Sequence, residues 1–468
     1  MSPFWIKTFQ LILCFALLIL LHEGGHFFFA KLFKVRVEKF FMFFDWKFHL
    51  FSTKDKWFTR LFPKMANKET EYGIGWIPLG GYVKIAGMID ESMDLEQMKQ
   101  PVKPDEFRAK PVYQRFLIMV GGVLVNFVLA LFIYAMILFT WGRDTLPMQN
   151  ISEGFAYNEM AKDLGFRDGD IPVKIDGETI EAWDASVYRA ISEAKEVTVL
   201  REGTEITITM PEEGVNLLEM IEQEPRFLAV RVPAVVDSVL PESPAAEVGL
   251  KKGARIMAVD GVPVEWWADF DAVMGREADI LAADCSHEDS LRLRTLPIVF
   301  ANEGEVADTV VLVLTEQYMM GIVKKPYQIL YKDDYVHHDY GFWESIPAGI
   351  AYGWETLKGY VSDLKYLFTK KGAQNVGSFG TIGNLFPAVW DWASFWNITA
   401  FISIILAVMN ILPIPGLDGG HIFFLLVEAV TRRPPSDKFM ERAQYIGMAL
   451  LFALMALALF NDAVKFLF

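Results

Sequence analysis

Four apolar segments constrain what this chain of 468 residues can fold into. A membrane-spanning helix needs about 20 predominantly apolar residues, and each of the four segments reaches or approaches that length. They comprise residues 4–33, 116–141, 395–427 and 445–468. The composition agrees, because 53% of the residues are hydrophobic, against roughly 45–50% in soluble domains. The sequence therefore predicts a polytopic α-helical membrane protein with four transmembrane helices.

The charges of the two long loops predict how the helices are oriented. Residues 31–115 carry 16 Lys and Arg against 11 Asp and Glu, whereas residues 142–394 carry 22 against 42. Because cytoplasmic loops are enriched in Lys and Arg, we expect the first loop in the cytoplasm and the acidic segment on the exported side. A net charge of −15 provides no basic surface over the whole chain, so nucleic acid is not an expected partner.

A weak internal repeat divides the exported segment. Residues 168–177 correspond to residues 252–261, and each copy has a short apolar strand closed by an Asp-Gly turn. We expect two α+β domains, at residues 152–230 and 231–325. Residues 343–394 follow them as an amphipathic connector.

Two further segments have recognisable patterns. Residues 343–371 have apolar side chains near helical spacing and end in Lys-Lys-Gly, which predicts one helix that stops there. In the cytoplasmic loop, residues 34–115, the stretch 72–87 is apolar, rich in glycine and too short to span a membrane. It is expected to form a β-hairpin that dips into the bilayer. An ordinary soluble hairpin is the alternative, and composition does not decide between them.

The first apolar segment contains the sequence His-Glu-Gly-Gly-His. His22 and His26 are four residues apart, so on a helix both imidazoles project from one face and can bind one Zn²⁺. Glu23 is placed to accept a proton from a water that the metal acidifies. Ionisable groups inside a membrane are costly, at about 2.5–3.5 kcal/mol each on insertion scales. Such groups need partners, and a metal ion provides one.

A catalytic zinc usually has three protein ligands and one open position. The candidate third ligand is Asp418, which follows a Pro- and Gly-rich break in the third apolar segment. His421 is a rival three residues further on. A carboxylate neutralises part of the metal charge, which favours Asp418 in a medium of low dielectric constant.

Together these motifs resemble the site-2 protease family, in its RseP branch of regulator-of-sigma intramembrane metalloproteases with tandem PDZ domains. The family's H-E-x-G-H is present at residues 22–26, and its N-x-x-P-x-P-x-L-D-G is complete at residues 410–419. Residues 243–261 are similar to the signature of bacterial PDZ domains. Two family motifs lack their proline in this sequence. Residues 122–126 begin with Gly-Val instead of Gly-Pro, and residues 380–382 are Gly-Thr-Ile instead of Gly-Pro-Ile.

The resemblance implies a role for each matching residue. His22, His26 and Asp418 correspond to the zinc ligands, and Glu23 corresponds to the general base. It also implies a set of residues that bind the substrate backbone, partly by strand addition to the hairpin: Gly73, Ile74, Gly75, Asn126 and Asn410. A helix C-cap is the alternative role for Asn410.

The implied function is zinc-dependent cleavage of transmembrane segments of single-span membrane proteins that another protease has already shortened. Anti-sigma factors of a stress response and remnant signal peptides are the implied substrates, and the bacterial inner membrane, a lipid bilayer, is the implied location. The PDZ domains, on the periplasmic side, would filter substrates by size or bind a newly exposed C-terminus. Two alternatives are a membrane-anchored PDZ adaptor with a structural metal site and a metal or proton transporter. Intact Glu23 opposes the adaptor, and the single ligand set opposes the transporter.

Overall fold

A computed structural model describes residues 2–63, 69–78, 80–88, 100–222, 226–282 and 287–467. The chain divides into two compact units. One contains the residues up to Gly142 together with those from Asp339 onward, and the other contains Arg143–His338. Cys285 lies outside the described residues, and Cys14 is a buried free thiol.

Helices make up most of the first unit, whereas helices in the described part of the second have at most 16 residues. The α-helices are α1 (Pro3–Leu32), α2 (Lys56–Leu61), α3 (Val112–Trp141), α4 (Glu159–Asp163), α5 (Ser186–Glu193), α6 (Leu217–Glu222), α7 (Pro244–Glu247), α8 (Trp267–Ala282), α9 (His287–Arg294), α10 (Tyr327–Leu330), α11 (Phe342–Asp363), α12 (Lys370–Asn375), α13 (Phe379–Leu385), α14 (Trp392–Ile411), α15 (Asp418–Thr431) and α16 (Asp437–Leu467).

The strands form small sheets. They are β1 (Val37–Met42), β2 (Phe44–Ser52), β3 (Glu71–Ile77), β4 (Tyr82–Ile85), β5 (Arg143–Pro147), β6 (Phe155–Tyr157), β7 (Ile171–Ile175), β8 (Glu178–Thr179), β9 (Ala182–Trp183), β10 (Glu196–Arg201), β11 (Thr204–Thr209), β12 (Leu228–Val230), β13 (Val236–Val239), β14 (Arg255–Val259), β15 (Val262–Pro263), β16 (Thr295–Ala301), β17 (Asp308–Val313), β18 (Ile322–Lys324) and β19 (Val336–His338).

In the part of the chain that the structure describes, four helices are long and apolar enough to cross a membrane, which agrees with the predicted number of spans. They are α1, α3, α14 and α16. The third predicted segment is interrupted, because α14 ends at Ile411 and α15 starts at Asp418. Pro413 and Pro415 lack the N–H groups that a continuous helix needs, and Gly416 has a φ of +101°. This break leaves Asp418 at the first residue of a new helix.

Glycines let three helices of the first unit approach closely. A Cβ on Gly25 of α1 would lie 2.6 Å from the carbonyl carbon of Gly121 on α3. A Cβ on Gly349 of α11 would lie 2.7 Å from the Cβ of Ala135, also on α3. Both distances are shorter than real Cβ contacts allow, so these crossings require glycine. Helix α3 therefore packs against α1 and against the connector.

The connector is not one helix to residue 371, so that expectation is wrong. Helix α11 ends at Asp363 and a 3₁₀ turn follows at Leu364–Phe368. The side chain of Thr369 then caps α12 by accepting a hydrogen bond of 3.0 Å from the Gly372 N–H. The Lys-Lys-Gly sequence thus lies in the first turn of α12 instead of ending a helix.

The segment 72–87 forms two strands, but they do not pair with each other as a hairpin. The sheet has the order β2-β3-β1-β4. Strand β1 lies parallel to β3 and antiparallel to β4. The local pattern shows two strands and a turn, whereas the insertion of β1 between them depends on pairing with a distant part of the chain. Among the described residues, β4 forms one edge of this sheet.

The second unit has two similar four-stranded sheets, which supports PDZ-like domains. Their orders are β11-β10-β7-β8 and β15-β14-β16-β17. Both predicted Asp-Gly turns are present: Asp176 and Gly177 have φ of 47° and 83°, and Asp260 and Gly261 have φ of 47° and 76°. Positive φ at both positions is typical of type I′ hairpin turns. Residues 143–338 form one compact unit, so the boundary between residues 230 and 231 stays a prediction.

Candidate metal centre

Two histidines of α1 and one aspartate of α15 meet in the first unit. The Nε2 atoms of His22 and His26 are 3.3 Å apart. Asp418 Oδ2 is 3.2 Å from the first and 3.3 Å from the second. A tetrahedral zinc ion with bonds of about 2.0–2.1 Å separates its ligand atoms by about 3.3–3.4 Å. The three atoms therefore have the spacing that one zinc ion requires.

The outer nitrogens of both histidines have partners on α3. His26 Nδ1 is 2.8 Å from the carbonyl oxygen of Ile118. A carbonyl can only accept, so His26 carries its proton on Nδ1 and its Nε2 is a lone-pair donor. His22 Nδ1 is 3.2 Å from the side-chain amide of Asn126, which is fully buried. These two contacts orient the rings, and the contact with Ile118 leaves Nε2 of His26 available for a metal.

The orientation of the Asn126 amide decides which ring nitrogen of His22 carries the proton. As placed, the amide nitrogen contacts His22 Nδ1 and the buried oxygen Oδ1 has no partner. Amide oxygen and nitrogen are assigned from the hydrogen-bond network. Rotating the amide lets Oδ1 accept the Nδ1 proton of His22, which leaves the Nε2 lone pair for a metal. Asn126, expected to bind substrate, therefore contacts a candidate ligand directly.

The donor set fits a cation. With both protons on Nδ1, two nitrogen lone pairs and a carboxylate oxygen point at one another. Asp418 Oδ2 is buried and has no hydrogen-bond donor. A buried carboxylate oxygen without a donor is costly, and a divalent cation removes that cost. Two imidazoles and one carboxylate, with a fourth position open, are typical of catalytic zinc.

The rival ligand His421 is not part of this group. Among the described residues, the set that can hold one metal ion comprises His22, His26 and Asp418. His421 lies one turn further along α15 and lines the adjoining cavity. Close packing fixes the start of α15, because a Cβ on Gly420 would lie 2.7 Å from the Ile414 carbonyl oxygen.

Gly122 of α3 has a contact that sequence reasoning did not anticipate. A Cβ at this position would lie 2.7 Å from Cε1 and 2.9 Å from Nδ1 of His22, and closer still to Nε2 of His26. The backbone of α3 thus lies directly against both imidazoles. The family motif at residues 122–126 was the signal available in the sequence, but it does not reveal which side chains touch the glycine.

The metal group opens onto a cavity of about 770 Å³. Glu23 lines this cavity beside His22 and His26, and Asn410 lines it from the last turn of α14. The sheet contributes Tyr82 and Val83 of β4. The cavity therefore brings together the candidate base, the candidate ligands and the edge strand of the sheet.

The three residues expected to bind substrate at the hairpin lie on an inner strand of the sheet. Gly73, Ile74 and Gly75 belong to β3, which pairs with β1 on one side and β2 on the other. Gly73 and Ile74 pair with residues of both neighbouring strands, so their backbone has no free edge for a substrate strand. Gly75 pairs with His49 of β2. Added Cβ atoms on Gly73 and Gly75 would meet Phe41 and Phe44, so both glycines serve packing within the sheet.

Comparisons with known proteins agree with this site. The model of peptidase family M50 matches residues 10–454. The chain is similar to regulator of sigma-E protease RseP of Escherichia coli K12, with 29% identity across 96% of this chain and 97% of that protein. It is 26% identical to regulator of sigma E protease of Haemophilus influenzae, across 99% of this chain and 100% of that protein. It is 27% identical to a putative zinc metalloprotease of Ralstonia nicotianae, across 98% of each.

The family match covers nearly all of the chain, including both segments that supply the metal group. The four candidate spans and the donor set agree with it. This multi-pass membrane protein therefore belongs to peptidase family M50, the site-2 type of zinc metalloprotease.

Proposed function

We propose that this protein is an intramembrane endopeptidase that cleaves transmembrane segments of membrane proteins already shortened by another protease. The observation that carries the proposal is the group formed by His22, His26 and Asp418 beside Glu23 in one cavity. His22 lies ten residues before the end of α1 at Leu32, or about 15 Å along the helix axis. This position within a candidate membrane-spanning helix supports cleavage inside the membrane.

Each residue has a distinct role in peptide hydrolysis. His22, His26 and Asp418 would hold a zinc ion, which would supply a Lewis acid for the scissile carbonyl and the attacking water. Glu23 accepts the proton of that water and then delivers it to the departing amine. Asn126 and the Ile118 carbonyl hold the two imidazoles in the correct tautomer. Asn410 lines the cavity wall, which supports a role in hydrogen-bonding the substrate backbone.

Strand β4 supplies the edge that an unwound substrate needs. A transmembrane helix must lose its internal hydrogen bonds before it can be cut, and an extended segment regains them by adding to a sheet edge. Strand β4 forms an edge of the sheet as described and also lines the cavity. Glu23 interacts with the backbone N–H of Val83 on β4. A substrate strand on this edge would therefore pass the base.

The substrates and the location follow from the loop charges and the relatives. The relatives in Escherichia coli and Haemophilus influenzae are named regulators of sigma E, so we propose anti-sigma factors as substrates, with remnant signal peptides as a second class. Residues 31–115 would face the cytoplasm of a bacterial inner membrane. Residues 143–338 would then face the periplasm, where the PDZ-like domains screen substrates by size or bind a new C-terminus.

The test compares the purified full-length protein with Glu23→Gln and His22→Ala variants. The substrate is a single-span membrane protein lacking its exported domain, with products identified by mass spectrometry and zinc measured in each preparation. We expect Glu23→Gln to keep one zinc and lose cleavage by about 10²–10⁴-fold, because it lacks only the proton acceptor. His22→Ala should lose zinc as well. Cleavage by Glu23→Gln at the original rate would refute the proposal.

A further inference from the structure

A buried ion pair joins α3 to the far end of α15. Arg115 donates from both terminal nitrogens to Glu428, at 2.6 Å to Oε1 and 3.1 Å to Oε2. The side chains are 15% and 11% exposed. Arg115 also donates from Nε to the Lys110 carbonyl oxygen at 2.9 Å. A bidentate pair of this kind fixes orientation as well as distance.

The helix dipole disfavours Arg115 and Glu428 at their positions in α3 and α15. Arg115 is in the first turn of α3, where the helix dipole repels positive charge. Glu428 is in the last turn of α15, where the dipole repels negative charge. Each residue therefore weakens its own helix unless the other is present. A conflict between local preference and the fold is expected where tertiary geometry matters.

The pair lies at one end of the α3–α15 interface, and the metal group lies at the other. Between them, Ile118 and Met119 of α3 pack in one apolar cluster with Ile422 and Leu425 of α15. Glu428 is ten residues from Asp418, or about 15 Å along the helix. Sliding or turning α15 would leave Asp418 misplaced relative to the histidines that α3 holds.

We propose that Arg115 and Glu428 are positioning residues that fix α15 against α3 and thereby place Asp418 at bonding distance from the metal. This inference rests on the proposed metal role of His22, His26 and Asp418. Neither member of the pair lies in the metal group, so its effect passes through the helix that carries the ligand.

The test measures metal binding by the full-length protein. Zinc affinity is determined by competition with a chelator, and the visible absorption of the Co²⁺-loaded protein reports the geometry of the ligands. The variants are Arg115→Met, Glu428→Gln and the exchanged pair Arg115→Glu with Glu428→Arg. The matched control is Arg201→Met, which removes another bidentate pair, to the buried Asp170 of the second unit.

We expect each single variant to bind zinc about 10–100-fold more weakly, as is typical when a group supporting a metal ligand is lost. The absorption spectrum of the Co²⁺-loaded single variants should also differ from that of the original protein. The exchanged pair should restore both, because it keeps the contact and places each charge at the favourable end of its helix. Arg201→Met should stay within about twofold of the original protein.

Two results would overturn the inference. In the first, the single variants have the same zinc affinity and Co²⁺ absorption as the Arg201→Met control. In the second, the protein with the exchanged pair keeps the original melting temperature but does not recover metal binding. If the single variants do not fold, the zinc affinity and Co²⁺ absorption of the protein with the exchanged pair decide the question: recovery supports the inference, and loss overturns it. Failure of the unaltered protein to bind zinc would instead refute the proposed metal site.

Discussion

Replacing Gly122 with alanine should damage the metal site without altering any candidate ligand. The added Cβ would lie 2.7 Å from His22 Cε1, whereas ordinary contacts begin at 3.4 Å. The ring must therefore move by about 0.7 Å, and His26 must move further. Zinc–ligand distances vary by only about 0.2 Å in good sites. Both imidazoles would thus leave bonding position, unless α1 and α3 separate.

We expect Gly122→Ala to weaken zinc binding at least about 100-fold, which corresponds to about 2.8 kcal/mol. The matched control is Gly24→Ala, because a Cβ on Gly24 would have nothing within 4 Å. Alanine in a helix interior is itself more favourable than glycine by about 0.5–1 kcal/mol, so the control should be at least as stable as the original protein. Chelator competition and thermal unfolding of the full-length protein measure both quantities.

The reasoning would be refuted if Gly122→Ala and Gly24→Ala bound zinc within about threefold of each other. A Gly122→Ala variant that keeps its melting temperature in the absence of zinc but loses the metal would support it most directly. That result would separate a local displacement of the imidazoles from a general loss of helix packing.

The remaining predictions concern topology and screening. Single cysteines introduced at Lys54 and at Glu178 should be labelled from the cytoplasm and from the periplasm respectively, because of the opposite charges of their loops; the reverse pattern would exclude the proposed orientation. Deleting residues 152–325 should release cleavage of substrates with intact exported domains if the PDZ-like domains act as a size filter. The same deletion should abolish cleavage of trimmed substrates if the PDZ-like domains recruit a C-terminus. Unchanged cleavage rates for intact and trimmed substrates would exclude both roles.

The two motifs that supply the metal group could be recognised from sequence because each pattern is local. The four-residue spacing of His22 and His26 survives in any helix, and the Pro-Gly break before Asp418 marks a place where an acidic side chain faces inward. The four spans were predictable for the same reason, since length and composition suffice. The meeting of Asp418 with the two histidines, by contrast, joins distant parts of the chain and was expected from the family resemblance.

The parts that sequence could not predict depend on distant contacts. The pairing of β1 between β3 and β4 joins residues far apart in the chain. Asp462 of α16 is another case: its carboxylate accepts hydrogen bonds from the backbone N–H groups of Ser378, Gly380 and Thr381 at 3.0–3.2 Å. An aspartate in an apolar helix suggests a partner, but its identity needs the fold.

Helix α3 provides no metal ligand, yet much of the geometry of the site depends on it. Arg115, Ile118, Gly122 and Asn126 are spaced by three, four and four residues, so they share one face of the helix. That face contacts Glu428, both imidazoles and, through the Asn126 carbonyl, the hydroxyl of Ser403 on α14 at 2.7 Å. Substitutions along this face should therefore impair metal binding more than substitutions at exposed positions of the same helix, such as Val128 and Phe132.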